Sequence, residues 1–470
     1  MKINLVINNQ EHTVEINPDE RLLSVMRKLG YLGQKSGGCV RGECGACTVL
    51  MDEKPINSCM FLTVQMVGHK LETIEGVGSH PDHGWNKTEG LDPIQQAFIE
   101  VGAIQCGYCT PAMVLVAKSL LRNNNNPDEA QIRDALSGVM CRCTAFVKPV
   151  SAIMRAASIL RGEKVPSVLI RDQSLQSRID SDHLVDRSIM PDMQTVEKPE
   201  IYQTVGKPEY KVDGVKLAQG KPAFVADITL PDMLIAKVLY SSVAHANITK
   251  IDVSKAKALP GVAAVLTWQD LPRVVYSTAG QSDPIPGPLD TFSLDRKVRF
   301  VGDRVAFVAA ETVEIALQAI KLIEVEYEKL PVIIDPRDSM KPGVVKIHDE
   351  KEYVNFADSN AEKNLAAEIR IDIGDVENGF QEADKIFEEE YVVPKVQQAH
   401  IEPHVAMTYW DEDDRLVIRT STQVPFHVRR MMAPVLGLPV KRIRVIKPRI
   451  GGGFGGKQEV LIEDVAAHLT

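Results

Sequence analysis

Four cysteines near the start of the chain have a spacing that suits a bound metal cluster. Cys39, Cys44 and Cys47 follow the pattern C-x4-C-x2-C, and Cys59 follows after eleven further residues. Glycines between them give the backbone the freedom to wrap closely around a ligand. A zinc site would usually show two C-x2-C pairs, and the C-x4-C arm does not fit that pattern. The spacing therefore favours a [2Fe–2S] cluster, with a four-cysteine zinc site as the alternative.

A second set of four cysteines lies further along the chain. Cys106 and Cys109 form C-x2-C, and Cys141 and Cys143 form C-x-C. The C-x-C pair is awkward for zinc, because two thiolates so close in sequence must face one point; structural zinc is again the alternative. The chain has eight cysteines, all within its first 143 residues. Two four-thiolate sites account for all of them, and adjacent sites of this kind indicate a short electron-transfer chain.

The elements around the first set predict a ferredoxin-like β-grasp domain over residues 1–76. Alternating residues predict a β-hairpin of strands 3–7 and 12–16 that turns at Asn8-Asn9. Asp19 is the predicted cap of a helix that ends at Gly30. Further strands are expected near 48–51 and 70–74.

The second set is predicted to lie in a four-helix domain over residues 77–162. One helix is expected from Asp92-Pro93, and a second from Thr110-Pro111 to 121. A third is expected to open at Asn126-Pro127 and a fourth to span 149–160. The metal-binding cysteines then fall in the turns between helices.

Beyond the cysteines the sequence predicts a linker and two α/β units. Residues 163–205 are polar and lack a period, which is typical of an extended linker. The units are 206–340 and 366–470, joined by a polar connection at 341–365. The expected strands are 233–240, 305–310, 324–327, 385–393, 407–410, 416–420 and 443–446, and the expected helices are 314–323, 425–436 and 459–469.

A glycine-rich loop (residues 451–457, Gly-Gly-Gly-Phe-Gly-Gly-Lys) is the main motif of the last unit. It matches G-x-G-x-x-G, but no acidic residue follows at the distance that dinucleotide binding requires. It also matches G-x-x-x-x-G-K, but Gln458 stands where a Ser or Thr would hold Mg²⁺. Successive N–H groups before a helix can bind an anion. We expect a phosphate- or oxo-bearing ligand other than NAD or ATP, with a flexible turn as the alternative.

Composition limits the class of partner. The chain has 470 residues, 44% hydrophobic, and a net charge of −9. A negative charge without a strongly basic stretch argues against nucleic acid. The first residues lack the apolar run of a signal peptide, and no 18-residue apolar stretch occurs. We therefore expect a soluble cytoplasmic protein with no membrane partner.

Taken together, these motifs resemble the molybdenum hydroxylases of the xanthine dehydrogenase and aldehyde oxidase type. The resemblance implies a multidomain α+β fold: a β-grasp [2Fe–2S] domain, a four-helix [2Fe–2S] domain, an α/β hammerhead domain, and the first part of a molybdopterin-binding domain. The matching stretches occur in the family's order and cover the chain from end to end. They are 38–47, 105–111, 141–144, 301–305, 421–423 and 451–457.

The resemblance also implies roles for individual residues. Cys39, Cys44, Cys47 and Cys59 would hold the distal cluster, and Cys106, Cys109, Cys141 and Cys143 the cluster nearer the molybdenum. Gln105 and Cys143 sit where the family contacts the pterin. Gln423, Gly453, Phe454 and Gly455 sit around the molybdenum site. The implied cofactors are two [2Fe–2S] clusters and molybdopterin, in a dinucleotide form shared with a further C-terminal part.

The same resemblance implies partners. The family's general-base glutamate is expected beyond Thr470, on a C-terminal molybdopterin-domain chain that packs on the last helix. No flavin domain follows the second cluster, so electrons should leave to a separate FAD subunit or another acceptor. The expected substrate is a small molecule, either an N-heterocycle or an aldehyde. Gln458 stands where xanthine dehydrogenases often carry a glutamate, which weakens a specific assignment to purines. The alternative function is a non-catalytic iron–sulfur electron-transfer protein with a docking scaffold.

Overall fold

The computed structural model describes residues 1–79, 90–166, 209–279, 287–356 and 358–470. The chain divides into two compact units, Met1–Ala223 and Phe224–Thr470. The predicted linker at 163–205 lies almost wholly outside the described residues. No helix in the described part of the chain is both long and apolar enough to cross a membrane.

The first unit opens with a mixed β-sheet. Strands β1 (Lys2–Ile7) and β2 (Gln10–Glu15) are antiparallel and join at Asn8 and Asn9, which both have positive φ. This is the turn geometry that matches the twist of a hairpin, and the predicted hairpin is confirmed. The sheet has the order β2-β1-β5-β3-β4 with β1 and β5 parallel. The other strands are β3 (Thr48–Met51), β4 (Lys54–Asn57) and β5 (Lys70–Glu72).

Helix α1 (Leu22–Lys28) packs its buried residues, among them Leu22 and Met26, on this sheet. The prediction that Asp19 caps this helix is wrong. The residue before the helix is Arg21, which stays extended because it forms a β-bridge with Leu62. Pairing with another segment therefore decides where the helix begins.

Four helices carry the second cysteine set, as predicted: α2 (Pro93–Glu100), α3 (Thr110–Asn123), α4 (Glu129–Leu136) and α5 (Val147–Leu160). Asp92 caps α2 through the N–H of Ile94. Helix α4 begins two residues later than predicted, because Asp128 accepts from the N–H of Gln131 at 2.8 Å and forms the cap.

A short helix, α6 (Gly214–Ala218), also belongs to the first unit. It packs on α2 and α3, and Gln95 Nε2 donates to the carbonyl of Ala218 at 3.1 Å. The sequence had assigned residues from 206 onward to the next domain. The side chains of Val215 and Leu217 are nevertheless buried with the helical domain.

The first part of the second unit contains two sheets, ordered β6-β10-β8 and β11-β7-β9. Helix α8 packs on β6 and β10, and its first turn is capped by Thr312. The elements are β6 (Ile235–Tyr240), β7 (Ala246–Asp252), α7 (Ser254–Lys257), β8 (Val262–Leu266), β9 (Lys297–Val298), β10 (Arg304–Ala310), α8 (Val313–Lys321) and β11 (Glu324–Lys329).

The last part of the second unit has a sheet of order β12-β13-β14 covered by two helices. Its core includes Ile418, Met432 and Val460. The elements are α9 (Val376–Glu382), β12 (Ala406–Trp410), β13 (Leu416–Thr420), α10 (Pro425–Leu436), β14 (Ile443–Ile446) and α11 (Glu463–Leu469).

Two predictions for this part are wrong. Residues 385–393 form no strand, since they are exposed and pair with no neighbouring strand. The last helix starts at Glu463 rather than 459, and the carboxylate of Glu463 accepts from the N–H groups of Leu461 and Ile462. Val465 and Ala467 of this helix are buried within the unit, whereas Leu469 is only partly buried. The packing of a partner chain on this helix stays a prediction.

Candidate functional site

The first cysteine loop folds around Cys39. The N–H groups of Arg41, Glu43 and Cys44 donate to its Sγ at 3.3–3.4 Å. Burial alone would raise the pKa of the Cys39 thiol, but these backbone donors lower it. A loop that directs several N–H groups at one sulfur stabilises a thiolate, which is the ligand form that a metal requires.

The thiols of each set lie close to one another. Cys44 contacts Cys39, and Cys47 contacts Cys59. In the second set Cys109 contacts Cys141, Cys106 contacts Cys143, and Cys141 also contacts Cys143. Among the described residues, no group of three His, Cys, Asp or Glu side chains is arranged to hold a single metal ion. A [2Fe–2S] cluster is held by four cysteine thiolates, and each set supplies four.

Burial disfavours the thiolate form of Cys47. Burial, with the neighbouring thiol of Cys59, raises the pKa of Cys47 to about 12. A thiol in such a place becomes a thiolate only when a cation compensates its charge. The residues present therefore fit a metal cluster, and none of the eight cysteines forms a disulfide.

A backbone hydrogen bond joins the two cysteine regions. The N–H of Met140, directly before Cys141, donates to the carbonyl of Cys44 at 2.9 Å. The loops are so close at this point that a Cβ on Gly45 would lie 2.0 Å from the carbonyl oxygen of Gly138. The β-grasp and helical parts of this unit are thus packed against each other at their metal-binding loops.

Gln105 and Cys143 are the residues of this unit with an expected pterin contact. Gln105 lies exposed in the turn between α2 and α3, next to Cys106. Cys143 is partly exposed. Both are therefore accessible from outside the protein, and their contact with a pterin stays a prediction.

The glycine loop (residues 451–457) lies in the second unit, and the sequence was wrong about its setting. Helix α11 begins only at Glu463, so the loop is not at a helix N-terminus. Four of its N–H groups already bond within the protein: Gly451 to Glu402, Gly455 and Lys457 to Gln423, and Gly456 to Gly453. Any anion site must use the others.

Those others are the N–H groups of Gly452, Gly453 and Phe454, which have no acceptor among the described residues. Phe454 has a φ of +53° and is 47% exposed. A non-glycine residue in this region is strained, and such strain is found where surrounding structure holds a functional conformation. Three consecutive N–H groups without an acceptor could together bind an anion.

Gln423 lies against this segment. Its Oε1 accepts from the N–H groups of Gly455 and Lys457 at 3.1 and 3.3 Å. A Cβ on Gly453 would lie 2.5 Å from the same oxygen, so a larger residue there would displace the Gln423 side chain. With its oxygen bound by the loop, the carboxamide has its NH₂ group left to donate to a ligand. The structure thus places Gln423 against Gly453 and Gly455, next to Phe454. The role of these residues around a molybdenum site stays a prediction.

A buried ion pair beneath the loop was missed by sequence reasoning. Glu402 and Lys457 are both 0% exposed, and Nζ lies 2.8 Å from Oε2. Burial raises the pKa of Glu402, and the ammonium of Lys457 opposes that shift. The only signal in the sequence was a lysine placed directly after the glycines, because the position of Glu402 carried no motif.

The segment from Arg415 to Gln458 contains ten basic residues and no Asp or Glu. Three of them pair with carboxylates outside the segment: Arg415 with Asp411, Arg442 with Asp414 and Lys457 with Glu402. The basic residues of this segment are Arg415, Arg419, Arg429, Arg430, Lys441, Arg442, Arg444, Lys447, Arg449 and Lys457.

Four family models match consecutive parts of the chain. They describe a 2Fe-2S iron-sulfur cluster binding domain at 5–68 and a [2Fe-2S] binding domain at 73–154. The next is the aldehyde oxidase and xanthine dehydrogenase a/b hammerhead domain at 219–331, and the last a molybdopterin cofactor-binding domain at 356–470. The chain therefore carries two iron–sulfur domains and a molybdopterin domain.

Several known proteins match all or part of this chain. Probable hypoxanthine oxidase XdhD of Escherichia coli is 34% identical over 100% of this chain and 48% of its own length. The xanthine dehydrogenase molybdenum-binding subunit of E. coli O157:H7 is 33% identical over 55% of this chain and 34% of its own length. The aldehyde oxidoreductase structure from Desulfovibrio gigas matches with a TM-score of 0.78 and 26% identity, covering 99% of this chain and 48% of that one.

The chain belongs to the molybdenum hydroxylase family of xanthine dehydrogenases and aldehyde oxidoreductases. It spans about half the length of the curated relatives it matches from end to end.

Proposed function

We propose that this chain is the iron–sulfur and partial molybdopterin-binding portion of a molybdenum hydroxylase. It would oxidise an aldehyde or an N-heterocycle with water as the oxygen source. The observation that carries the proposal is the presence, in one chain, of two sets of paired thiols and a glycine loop with three consecutive unbonded N–H groups. A mononuclear zinc protein would need neither feature.

The cysteine ligands follow from the pairs. Cys39 and Cys44 would hold one iron of the distal cluster, and Cys47 and Cys59 the other. Cys106, Cys109, Cys141 and Cys143 would together hold the second cluster. None of the eight cysteines forms a disulfide, which is consistent with the cytoplasmic location that we propose.

The molybdenum centre, when bound, would supply the two-electron oxidation of the substrate carbon. The part of this chain is positioning and electrostatics. Gly452, Gly453 and Phe454 would donate N–H groups to anionic oxygens of the cofactor, and the Gln423 amide would donate beside them. The exposed ring of Phe454 would limit where a planar substrate can lie. Gln105 would donate or accept at the polar edge of the pterin.

Further polypeptide is needed to cover an exposed arm (residues 366–397). Every residue of the arm is exposed. Ile369, Ile371 and Ile373 alternate with charged residues and are each 81–83% exposed. Such alternation is typical of a strand with one buried face, and large apolar surfaces mark interaction sites. We infer that the arm adds to a sheet of the remaining molybdopterin-binding polypeptide.

Relatives of this family include separate molybdenum-binding subunits, such as that of E. coli xanthine dehydrogenase. A partner chain is consistent with that organisation. Electrons would leave through the two clusters to a separate FAD subunit or another acceptor. The polypeptide that covers the arm would supply the general-base glutamate. We assign that role to none of the described residues.

The experiment is a dye-linked hydroxylation assay on the chain co-purified with its neighbouring gene products. We expect turnover of an aldehyde or a purine that depends on molybdenum and on the partner. The alternative is a non-catalytic electron-transfer protein. Its only support is that all the cysteines lie in a compact unit of their own. Full iron occupancy without any molybdenum in the complex, and no turnover, would support that alternative.

A further inference from the structure

The buried pair, Glu402 and Lys457, holds both ends of the glycine loop. Oε2 of Glu402 accepts from the N–H of Gly451, the first residue of the loop, at 2.6 Å. The same oxygen accepts from Nζ of Lys457, the last residue of the loop, at 2.8 Å. In return, the N–H of Glu402 donates to the carbonyl of Gly451 at 3.2 Å. One carboxylate oxygen therefore closes the seven-residue loop on itself.

Among the described residues, the carboxylate of Glu402 accepts hydrogen bonds only from residues of the loop. Its second oxygen, Oε1, is buried and has no partner among the described residues. Burying two charges is unfavourable unless their geometry is very good, and apolar replacements are often equally stable. A pair with one unsatisfied oxygen is therefore a poor device for general stability. Its geometry is explained better by a need to fix one loop conformation.

Neighbouring histidines reinforce this arrangement. His404 Nε2 bonds to the carbonyl of Gly456 at 2.8 Å, and His400 Nδ1 bonds to the carbonyl of Glu402 at 2.7 Å. The two rings lie 5.1 Å apart, edge to face. Residues 400–404 thus bond to Gly451 and Gly456 of the loop, and His400 bonds to the backbone of Glu402.

We propose that Glu402 and Lys457 are positioning residues that present the unbonded N–H groups of the loop, and the amide of Gln423, to an anionic ligand. Without the pair, the loop loses the contact that joins its two ends. Gly452 and Gly455, with positive φ, can then adopt many other conformations. Only the identity of the ligand as the molybdenum cofactor rests on the proposed function.

The test compares apolar replacements with a matched control. E402L/K457M removes both charges together and leaves no unpaired charge behind. E402Q/K457M restores an acceptor for the N–H of Gly451. R304M/D464L removes another buried pair of the same unit, whose atoms are 2.8 Å apart and do not bond to the loop. All variants are made in the full chain with its partner polypeptides.

The first measurement is hydrogen–deuterium exchange of peptides covering 449–458, on protein without molybdenum. Loss of a hydrogen bond to a charged acceptor should accelerate exchange about 10-fold or more in E402L/K457M. E402Q/K457M should recover part of that protection, and R304M/D464L should match wild type. Unchanged exchange in E402L/K457M, or equal acceleration in the control, would overturn the proposal. If E402L/K457M does not fold, E402Q/K457M is compared with the control. Faster exchange in E402Q/K457M than in R304M/D464L supports the proposal, and equal exchange overturns it.

The second measurement is molybdenum per chain after expression with molybdate, with iron as the internal reference. Molybdenum should fall at least about fivefold in E402L/K457M while iron stays at the wild-type level. A loosened loop with wild-type molybdenum would refute the positioning role. Wild-type protein that holds no molybdenum would instead refute the proposed function, and the exchange result would still judge the role of the pair in fixing the loop.

Discussion

Replacing Gly45 by alanine should weaken the contact between the two cysteine loops. Gly45 has a φ of +68°, and a Cβ there would lie 2.0 Å from the carbonyl oxygen of Gly138 and 2.9 Å from Cα of Val139. These are backbone atoms, so no side-chain rotation can relieve the clash. The left-handed backbone costs about 1–2 kcal/mol for a non-glycine residue. Overpacking adds about 1–3 kcal/mol.

Gly68→Ala is the matched control. Gly68 has a φ of +85° and lies in the same β-grasp domain, but nothing is within 4 Å of its Cβ position. It should cost only the backbone part, about 1–2 kcal/mol. The difference between the two variants, about 1–3 kcal/mol, isolates the loop contact. For a unit of this size each kcal/mol lowers Tm by about 2–4 °C.

The assay is thermal loss of the visible iron–sulfur absorbance, with far-UV circular dichroism recorded in parallel. We expect Gly45→Ala to lose its clusters at a temperature several degrees below that of Gly68→Ala. Equal transition temperatures would refute the reasoning, because the backbone penalty is common to both variants. They would mean that the loops do not pack as described.

Three further predictions concern the cysteines, the pterin and acid stability. Cys44→Ser should abolish one reduced-state EPR signal and leave the other, and loss of both would contradict two separate clusters. Gln105→Ala should lower molybdenum while iron stays constant; a fall in iron would make Gln105 a structural residue. Burial opposes ionisation of Glu350, but the His348 hydrogen bond and the Arg299 charge lower its pKa to about 2. Its stabilisation, at most about 3 kcal/mol, is present above the unfolded pKa of about 4.5 and is lost as pH falls towards 2. Urea unfolding of Glu350→Gln should therefore depend less on pH in that range than wild type, and parallel curves would contradict this.

Local sequence predicted the elements whose stabilising contacts are themselves local. The Asn8-Asn9 turn and the Asp92 cap depend on neighbours a few residues away, and both were visible in the sequence. The helix start at Leu22 was not, because it depends on the bridge between Arg21 and Leu62. Long-range pairing decides such positions.

The candidate site shows the same division. Cysteine spacing predicted the metal ligands, and the glycine run predicted a binding loop. The partner of Lys457 lies 55 positions earlier in the sequence, at Glu402, where no motif marks it. Residues 385–393 have a strand-like composition but no strand to pair with, since pairing requires a neighbour that the described residues do not supply.

The most direct test of the central claim is elemental analysis of the complex purified from its native host. The account predicts about four irons and about four acid-labile sulfides per chain, from two [2Fe–2S] clusters, together with about one molybdenum. Zinc should be absent from the cysteine sites. About two zinc ions per chain with neither iron nor molybdenum would contradict the account.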